Sequence, residues 1–499
     1  MHIHMAKSKQ FIRPPKKPKA KPAAPESADD FQAAADREEE AGGKHRVGDS
    51  LKSARAFLRA LELYDQGLKR HPTNFDLAYN KARLLLEITQ QPALVEHVGL
   101  PLVDLLQQAL QAHADALKLN EEIPDLLFNN AQVCTALAEL LSESSQEEEA
   151  AKYLQQSLEL LSACLSRQEM LLEQQQMDFE DVEEGGVQLD PDEKPSSTPS
   201  SDISEQSAHV ETPLTPNDLL DTVHASLSAL TTMMSLVDGP ALQTFADMAH
   251  ALTEKKAASY INLLPQNAQD AARFAIGLDR AIFIAAFANA QFEAYMVELE
   301  TYTARLEAFD LPGREESAHA LSAEADAKTE LVLCVLDRDS DDVATLAETC
   351  WQHLTTAQDL YTQATKLTTD DAKERKPSIY NSKGNVELLR HRLASSPTTK
   401  LSDAVTRSSQ TLLANAQTYY KGAAQLARAD GDLDLEVKAQ QRWLIAGEVA
   451  KVLYGVEIKA PPFDPATARG DIVTAFEACV DEGFVDAEVG QTVVAGFGP

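Results

Sequence analysis

The sequence predicts an all-α protein in which two helical blocks are separated by an acidic insertion. Aromatic residues make up only 6% of the chain, whereas alanine and leucine are abundant. This balance favours helices that cross closely over small side chains. Small and bulky residues recur at helical spacing in both halves of the chain. The stretch between the halves is too polar and acidic to bury a core, so we expect it to be disordered.

Composition divides the chain into five segments. They are a basic tail at 1–28, an N-terminal helical block at 29–170, an acidic Ser/Pro-rich insertion at 171–215, a C-terminal helical block at 216–455 and an extension at 456–499. The extension is rich in proline and glycine, so we expect it to pack loosely, with one short helix around Asp471–Glu482.

The basic tail has seven basic side chains and no acidic one in its first 25 residues. Its prolines prevent a helix and keep the lysines extended. Such a run is typical of a nuclear-localisation signal or of an arm for nucleic acid, and an ordinary disordered tail is the alternative. The residues that would form the import signal are Arg13, Lys16, Lys17, Lys19 and Lys21. On this basis we expect the protein in the nucleus and the cytoplasm.

The first helical block contains a spaced packing motif. Ala60, Tyr64 and Gly67 stand four and then three residues apart, and Pro72 follows five residues later. Ala82 falls ten residues further on, where the next helix begins to cross. Small residues at these positions let two helices approach closely, and the bulky one fills the groove between neighbours.

The motif recurs three more times. The three small–bulky–small sets are Ala109, His113 and Ala116; Ala357, Tyr361 and Ala364; and Ala416, Tyr420 and Ala423. In the first two sets a small residue of the crossing helix follows, Ala131 and Gly384 respectively. Because His113 takes the bulky packing position, we expect it to be a packing residue rather than a metal ligand.

This pattern resembles the tetratricopeptide repeat family, over about residues 51–165 and 345–455. The resemblance implies a TPR-like helical repeat, an α-α superhelix whose concave surface binds another protein. A generic helical bundle with accidental alanine spacing is the alternative.

The resemblance also points to binding residues. Asn80 and Asn129 share one repeat position, two before the small residue. In the family this position faces the groove, where an asparagine amide both donates to and accepts from a ligand backbone. Lys81 and Arg83 would add charge at or near the groove. The alternative is that these asparagines bond a neighbouring helix.

The sequence offers no recognisable catalytic chemistry. It has no glycine-rich nucleotide loop, nucleophile elbow or paired-histidine zinc helix. Its five cysteines form no CxxC pair, no secretory leader is visible, and no apolar run reaches the roughly 20 residues of a membrane span. We therefore expect a soluble intracellular protein that is not an enzyme, with neither cofactor nor metal.

The charge balance indicates the class of partner. The formal net charge is -33, from 78 acidic and 45 basic residues. Such a surface repels nucleic acid and anionic lipid but attracts basic proteins. Residues 173–212 hold 12 acidic residues and one lysine, and we expect this insert to screen a client's charge through Asp178, Glu180, Asp181, Glu183 and Glu184. The alternative is that the acidity only maintains solubility.

Together these observations favour an adaptor or dedicated chaperone for a basic protein. The acidic insertion is similar to that of tetratricopeptide chaperones of histones and ribosomal proteins. Two alternatives are a heat-shock-protein co-chaperone, in which Asn80 and Asn129 would form part of a carboxylate clamp, and a structural subunit of a larger complex.

Overall fold

The computed structural model describes residues 24–184 except 47 and 145, residues 213–456 except 238, 339, 397, 398 and 400, and residues 469–496. Within these ranges the chain is helical and holds no β-strand. The helices of the first range are α1 (Ala28–His45), α2 (Ser50–Arg70), α3 (Phe75–Thr89), α4 (Pro92–Val98), α5 (Leu102–Leu117), α6 (Pro124–Glu143) and α7 (Glu147–Glu184).

The remaining ranges continue the all-α architecture. Their helices are α8 (Pro216–Met233), α9 (Gly239–Ala251), α10 (Ala258–Leu263), α11 (Gln266–Glu293), α12 (Leu299–Arg305), α13 (Ala318–Leu336), α14 (Ser340–Ala364), α15 (Asp370–Ser395), α16 (Asp403–Arg407), α17 (Ser409–Asp430), α18 (Leu433–Tyr454), α19 (Arg469–Asp481) and α20 (Ala487–Gly496). A π-helical turn at Leu252–Ala257 joins α9 to α10.

Local sequence sets where the two helical ranges begin. The Ser27 hydroxyl accepts a hydrogen bond from the Asp30 backbone N–H at 3.1 Å, and the Asp30 carboxylate accepts from the Ser27 N–H at 3.0 Å. Thr215 and Asp218 form the same reciprocal box before α8. Such boxes satisfy backbone donors that a helix start would otherwise leave without partners.

The helices pack mainly in pairs of long helices that follow each other along the chain. In two of these pairs a short helix, α4 or α16, lies between the two members. The most extensive contacts include α1 with α2, α3 with α5, α6 with α7, α13 with α14, and α15 with α17. We call the earlier member of each pair a first helix. In the middle of the chain, α8 and α11 continue the row of first helices, because α8 packs on α11 and α11 packs on α13.

The packing motif behaves as predicted. Tyr64, Tyr361 and Tyr420 are at most 1% exposed. The alanines of the motif are fully buried: Ala60, Ala82, Ala109, Ala116, Ala131, Ala357, Ala364, Ala416 and Ala423. The sequence prediction of an all-α helical repeat is confirmed for the described residues.

His113 is a packing residue, as its place in the motif predicts. Its side chain is fully buried, and its Nδ1 lies 2.8 Å from the Ala109 carbonyl oxygen. Burial lowers the pKa of His113, which favours the neutral ring inside the core.

Helix α7 departs from the predicted segmentation. Composition predicts a disordered insertion from residue 171, whereas α7 continues to Glu184. The extra stretch is rich in leucine, glutamate, glutamine and methionine, which all have high helix propensity. High charge therefore did not exclude a helix. Residues 185–212 lie outside the described residues.

The two predicted helical blocks form one continuous stack. Leu154, Leu158 and Leu165 of α7 share a buried cluster with Leu219 and Leu220 of α8. The Thr222 hydroxyl of α8 also donates to the Gln168 side chain of α7 at 2.9 Å. The acidic segment thus interrupts the chain but not the core.

The C-terminal extension also differs from prediction. It contains two helices, α19 and α20, rather than one loosely packed helix. Phe476 is fully buried, Cys479 and Val493 are 2% exposed, and all three belong to the core cluster that extends from α11. Sparse apolar residues spaced along two short helices were enough to attach the extension to the stack.

Candidate functional site

The main candidate site is a cavity on the face formed by first helices. It has a volume of about 410 Å³ and is lined by residues of α8, α11 and α13, with Arg375 of α15 at one edge. Most of the lining residues recur at three- or four-residue intervals, because one face of each helix points into the same space.

The polar side of this cavity is strongly acidic. Its carboxylates are Glu293 at the end of α11 and Asp326 and Glu330, one turn apart, on α13. None of the three forms an ion pair with a described residue. The Tyr361 hydroxyl donates to Asp326 at 2.5 Å, and the Asn289 amide donates to Glu293 at 3.2 Å. These neutral donors hold Asp326 and Glu293 in place without cancelling their charge.

The shape of the site changes the acidity of two of these groups. Asp326 and Glu330 are accessible to solvent, yet they lie on a concave floor with protein on most sides. Desolvation raises the pKa of Asp326 to about 6. Desolvation also raises the pKa of Glu330, with further contributions from the charges of Glu293 and Asp326. The site therefore holds negative charge that the protein itself does not neutralise.

Much of the remaining lining is apolar. Its side chains include Met234, directly after α8, Ile282, Ala285 and Ala286 from α11, and Ala323 and Ala327 from α13. Alanines leave space between the helices that larger residues would fill. The cavity thus combines aliphatic and carboxylate side chains in one lining.

A second cavity of about 760 Å³ continues the same face towards α6. It shares His319 with the first cavity and is lined by Asp221, His224, Asp279 and Asp371. His224 forms an ion pair with Asp279, and this hydrogen bond raises the pKa of His224. The two cavities form a groove along the first helices from α6 to α15.

The predicted groove residues near the N-terminus have partners within the protein. Arg83 bonds Glu39 of α1 and, at 3.1 Å, Glu87, while Lys81 pairs with Asp65 at 2.7 Å.

The predicted asparagines do not line the described cavities. The Asn80 amide donates to Gln32 of α1 at 3.3 Å, so this residue does bond a neighbouring helix. Asn129 of α6 is half-buried. The cavity carboxylates, rather than Asn80 and Asn129, are brought together by the fold.

Sequence analysis missed Asp326, although a signal was present. The hydroxyl of each motif tyrosine donates to its own first helix: Tyr64 to Glu39 at 2.5 Å, Tyr361 to Asp326 at 2.5 Å and Tyr420 to Asn385 at 2.8 Å. In the last two pairs the acceptor precedes the tyrosine by 35 residues. That spacing identifies Asp326 once the repeats are aligned. No comparable pattern identifies Glu293.

Two predicted sets of residues lie beyond what the structure describes. The candidate import-signal residues Arg13, Lys16, Lys17, Lys19 and Lys21 belong to the first 23 residues, outside the described ranges. The insert acids Asp178, Glu180, Asp181, Glu183 and Glu184 lie on the last turns of α7, where only the backbone is described.

The described part of the chain contains no group of three or more histidine, cysteine or acidic side chains that could hold a metal ion. None of its helices has the length and apolar character needed to cross a membrane. All five cysteines are free and buried. Burial raises the pKa of Cys164 and of Cys479 to about 11, so both thiols are protonated at neutral pH.

Part of the chain is similar to a protein of fission yeast. No family model matches the chain. UPF0656 protein C926.02 of Schizosaccharomyces pombe is 35% identical over 161 residues, which are 32% of this chain and 35% of that protein. The match thus spans about a third of the relative's length.

One solved structure aligns with nearly the whole chain. It is a circular tandem repeat protein with novel repeat topology and enhanced subunit contact surfaces, and it aligns over 94% of this chain and 96% of its own. The TM-score is 0.25 and the identity 12%, a likeness that identifies neither a common fold family nor a function.

Proposed function

We propose that this protein is a non-enzymatic scaffold that binds a strongly basic protein and serves as its adaptor or dedicated chaperone. Histones and ribosomal proteins are the candidate clients, because both carry dense positive charge. The observation that supports this proposal is the set of unpaired carboxylates Glu293, Asp326 and Glu330 in the groove of first helices. Carboxylates with restricted hydration and no ion-pair partner are stabilised when a cationic partner arrives.

The whole-chain charge supports the same class of partner. A net charge of -33 steers basic proteins towards the surface over distances set by the ionic strength. The groove provides contacts of defined geometry, and the acidic segment at 173–212 screens further client charge. Phosphorylation of its serines and threonines would add to that negative charge.

The heat-shock co-chaperone alternative is less well supported. A clamp for an acidic C-terminal tail needs cations that are free to bind the ligand. Lys81 and Arg83, the candidate cations, already pair with Asp65, Glu39 and Glu87. Binding there would require these ion pairs to break.

The proposal is tested by capturing partners from a nuclear and cytosolic extract at moderate and at high salt. Three forms are compared: the full chain, a form lacking 185–212, and a form in which Glu293→Gln and Glu330→Gln are combined. Deleting 185–212 leaves α7 intact, because that helix ends at Glu184. We expect one basic protein to dominate, and high salt and both changes to weaken its capture.

Other outcomes would point elsewhere. Capture of a heat-shock protein, unaffected by either change, would support the co-chaperone alternative. A multi-subunit assembly of fixed stoichiometry that persists at high salt would indicate a structural subunit. Either result would contradict a charge-based client chaperone.

A further inference from the structure

The cavity between α8, α11 and α13 has features that a merely acidic surface lacks. Its volume of about 410 Å³ falls in the range of roughly 300–1,000 Å³ that is usual for ligand pockets. Its lining combines aliphatic side chains, such as Ile282, Ala286 and Ala323, with three carboxylates. A ligand that matches both kinds of side chain has an apolar stem and a cationic end.

We propose that this cavity takes one arginine or lysine side chain of the client, with its aliphatic stem against α11 and α13 and its cationic head between Glu293 and Glu330. The inference rests on the proposed function, because it assigns one contact within the same groove. Long basic side chains are suited to this arrangement, since their methylene stems pack on apolar surface while the charge is bound elsewhere.

Among the described residues, no cation forms an ion pair with the cavity carboxylates, although the burial that raises the pKa of Asp326 is opposed in part by the charge of Arg375. Arg375 lines the cavity, but its Nε lies 2.5 Å from Asp371, and it forms no ion pair with the three cavity carboxylates. The described part of the chain contains no cluster suited to a metal ion. An organic cation is therefore the ligand class that matches the site.

Two of the carboxylates, Glu293 and Asp326, are also held by hydrogen bonds before any ligand arrives. Asn289 bonds Glu293, and Tyr361 bonds Asp326. Glu330 lies one helical turn from Asp326 on α13. Preorganisation of this kind reduces the entropy lost on binding, so a single inserted side chain can act as an anchor.

The test uses two capped pentapeptides, Gly-Gly-Arg-Gly-Gly and the same peptide with citrulline, which has the shape of arginine without its charge. Binding to the full chain is measured by saturation-transfer NMR at low salt. We expect the arginine peptide to give at least a fivefold stronger signal than the citrulline peptide. The Glu293→Gln/Glu330→Gln variant should reduce that signal to the citrulline level.

A matched control removes the same charge elsewhere. Glu348→Gln and Glu477→Gln change exposed glutamates of α14 and α19 and should leave the arginine signal unchanged. Ala286→Leu fills the cavity without changing charge and should abolish the signal. Circular dichroism verifies that each variant is folded. Equal signals from the two peptides, or an unaltered signal in both cavity variants, would overturn the assignment.

Free putrescine forms a third arm, because it offers a four-carbon stem with an ammonium group at each end outside a peptide. Weak competition by putrescine fits a site for a client side chain, whereas binding tighter than that of the peptide would make it a polyamine site instead.

The outcomes for the two proposals are separable. Salt-sensitive capture of a basic client that the double variant weakens, together with equal signals from the two peptides, would reject the cavity assignment alone. Peptide binding without any captured basic client would reject the proposed function alone.

Discussion

At the residue scale, the repeats depend on glycine and alanine beneath tyrosine rings. A Cβ atom added at Gly384 would lie 2.5 Å from Cε1 of Tyr420, closer than real Cβ contacts allow. At Gly67 the added atom would lie 2.8 Å from Leu77 Cδ1. In both places the missing side chain lets two helices approach, while a buried side chain, Tyr420 or Leu77, fills the space.

We therefore expect Gly384→Ala to destabilise the protein by about 1–3 kcal/mol, because the buried Tyr420 ring must shift within a dense core. The measurement is urea unfolding followed by circular dichroism. Gly43→Ala is the matched control in α1, where an added Cβ would meet no atom within 4 Å. The control should be neutral or stabilising by up to about 1 kcal/mol, since alanine is the better helix former. Equal effects of the two changes would contradict the close-packing explanation.

Asp326 links the groove to pH. Its pKa in the folded protein is about 6, above the ordinary value for an aspartate, because desolvation disfavours the charged form. Between roughly pH 4 and pH 6 the folded state therefore binds more protons than the unfolded state. The contribution of this group to the free energy of unfolding accordingly falls as pH rises through that window.

We expect Asp326→Asn to reduce the loss of stability between pH 5 and pH 7, by on the order of 1 kcal/mol because solvent screens an accessible carboxylate. The asparagine oxygen can still accept the Tyr361 hydrogen bond. Urea unfolding at both pH values provides the measurement. Asp359→Asn, at an exposed position of α14, is the control and should leave the pH dependence as it is. A variant with the pH dependence of the unmodified protein would show that the charge of Asp326 is not disfavoured.

At the scale of elements, α7 joins the two halves of the protein. Its leucines pack against α8, and the Gln168–Thr222 hydrogen bond crosses the same interface. Neighbouring units in a helical repeat bury each other's apolar faces, so this contact carries the stack past the acidic segment.

We expect Leu219→Ala to lower the free energy of unfolding by about 2–5 kcal/mol, because Leu219 is fully buried at this interface and the change leaves a cavity. Leu433→Ala is the control, since Leu433 of α18 is 50% exposed; its effect should stay within about 0.5 kcal/mol. Denaturant unfolding compares the two variants. A small effect of Leu219→Ala would mean that α7 and α8 contribute little to each other's stability.

At the scale of the whole molecule, the acidic charge is organised rather than evenly spread. Many acidic groups are neutralised in ion pairs such as Lys81–Asp65 and Arg314–Glu324. The carboxylates of the cavity are not, and they lie where consecutive first helices converge. A concave arrangement of like charges concentrates the electrostatic potential in the groove, which favours an extended basic partner there.

The sequence by itself determined the helical class, the packing positions and the charge. Tyr64, Tyr361 and Tyr420 were predictable because packing within a repeat follows short-range spacing. Helix propensity also contained the information that α7 extends to Glu184, although we gave more weight to its charge. Tertiary structure alone decided that Glu293 stands beside Asp326 and Glu330, while Arg83 turns towards Glu39. Which carboxylates form an ion pair depends on how helices that are far apart in the chain are placed relative to one another. Local sequence spacing does not predict that placement.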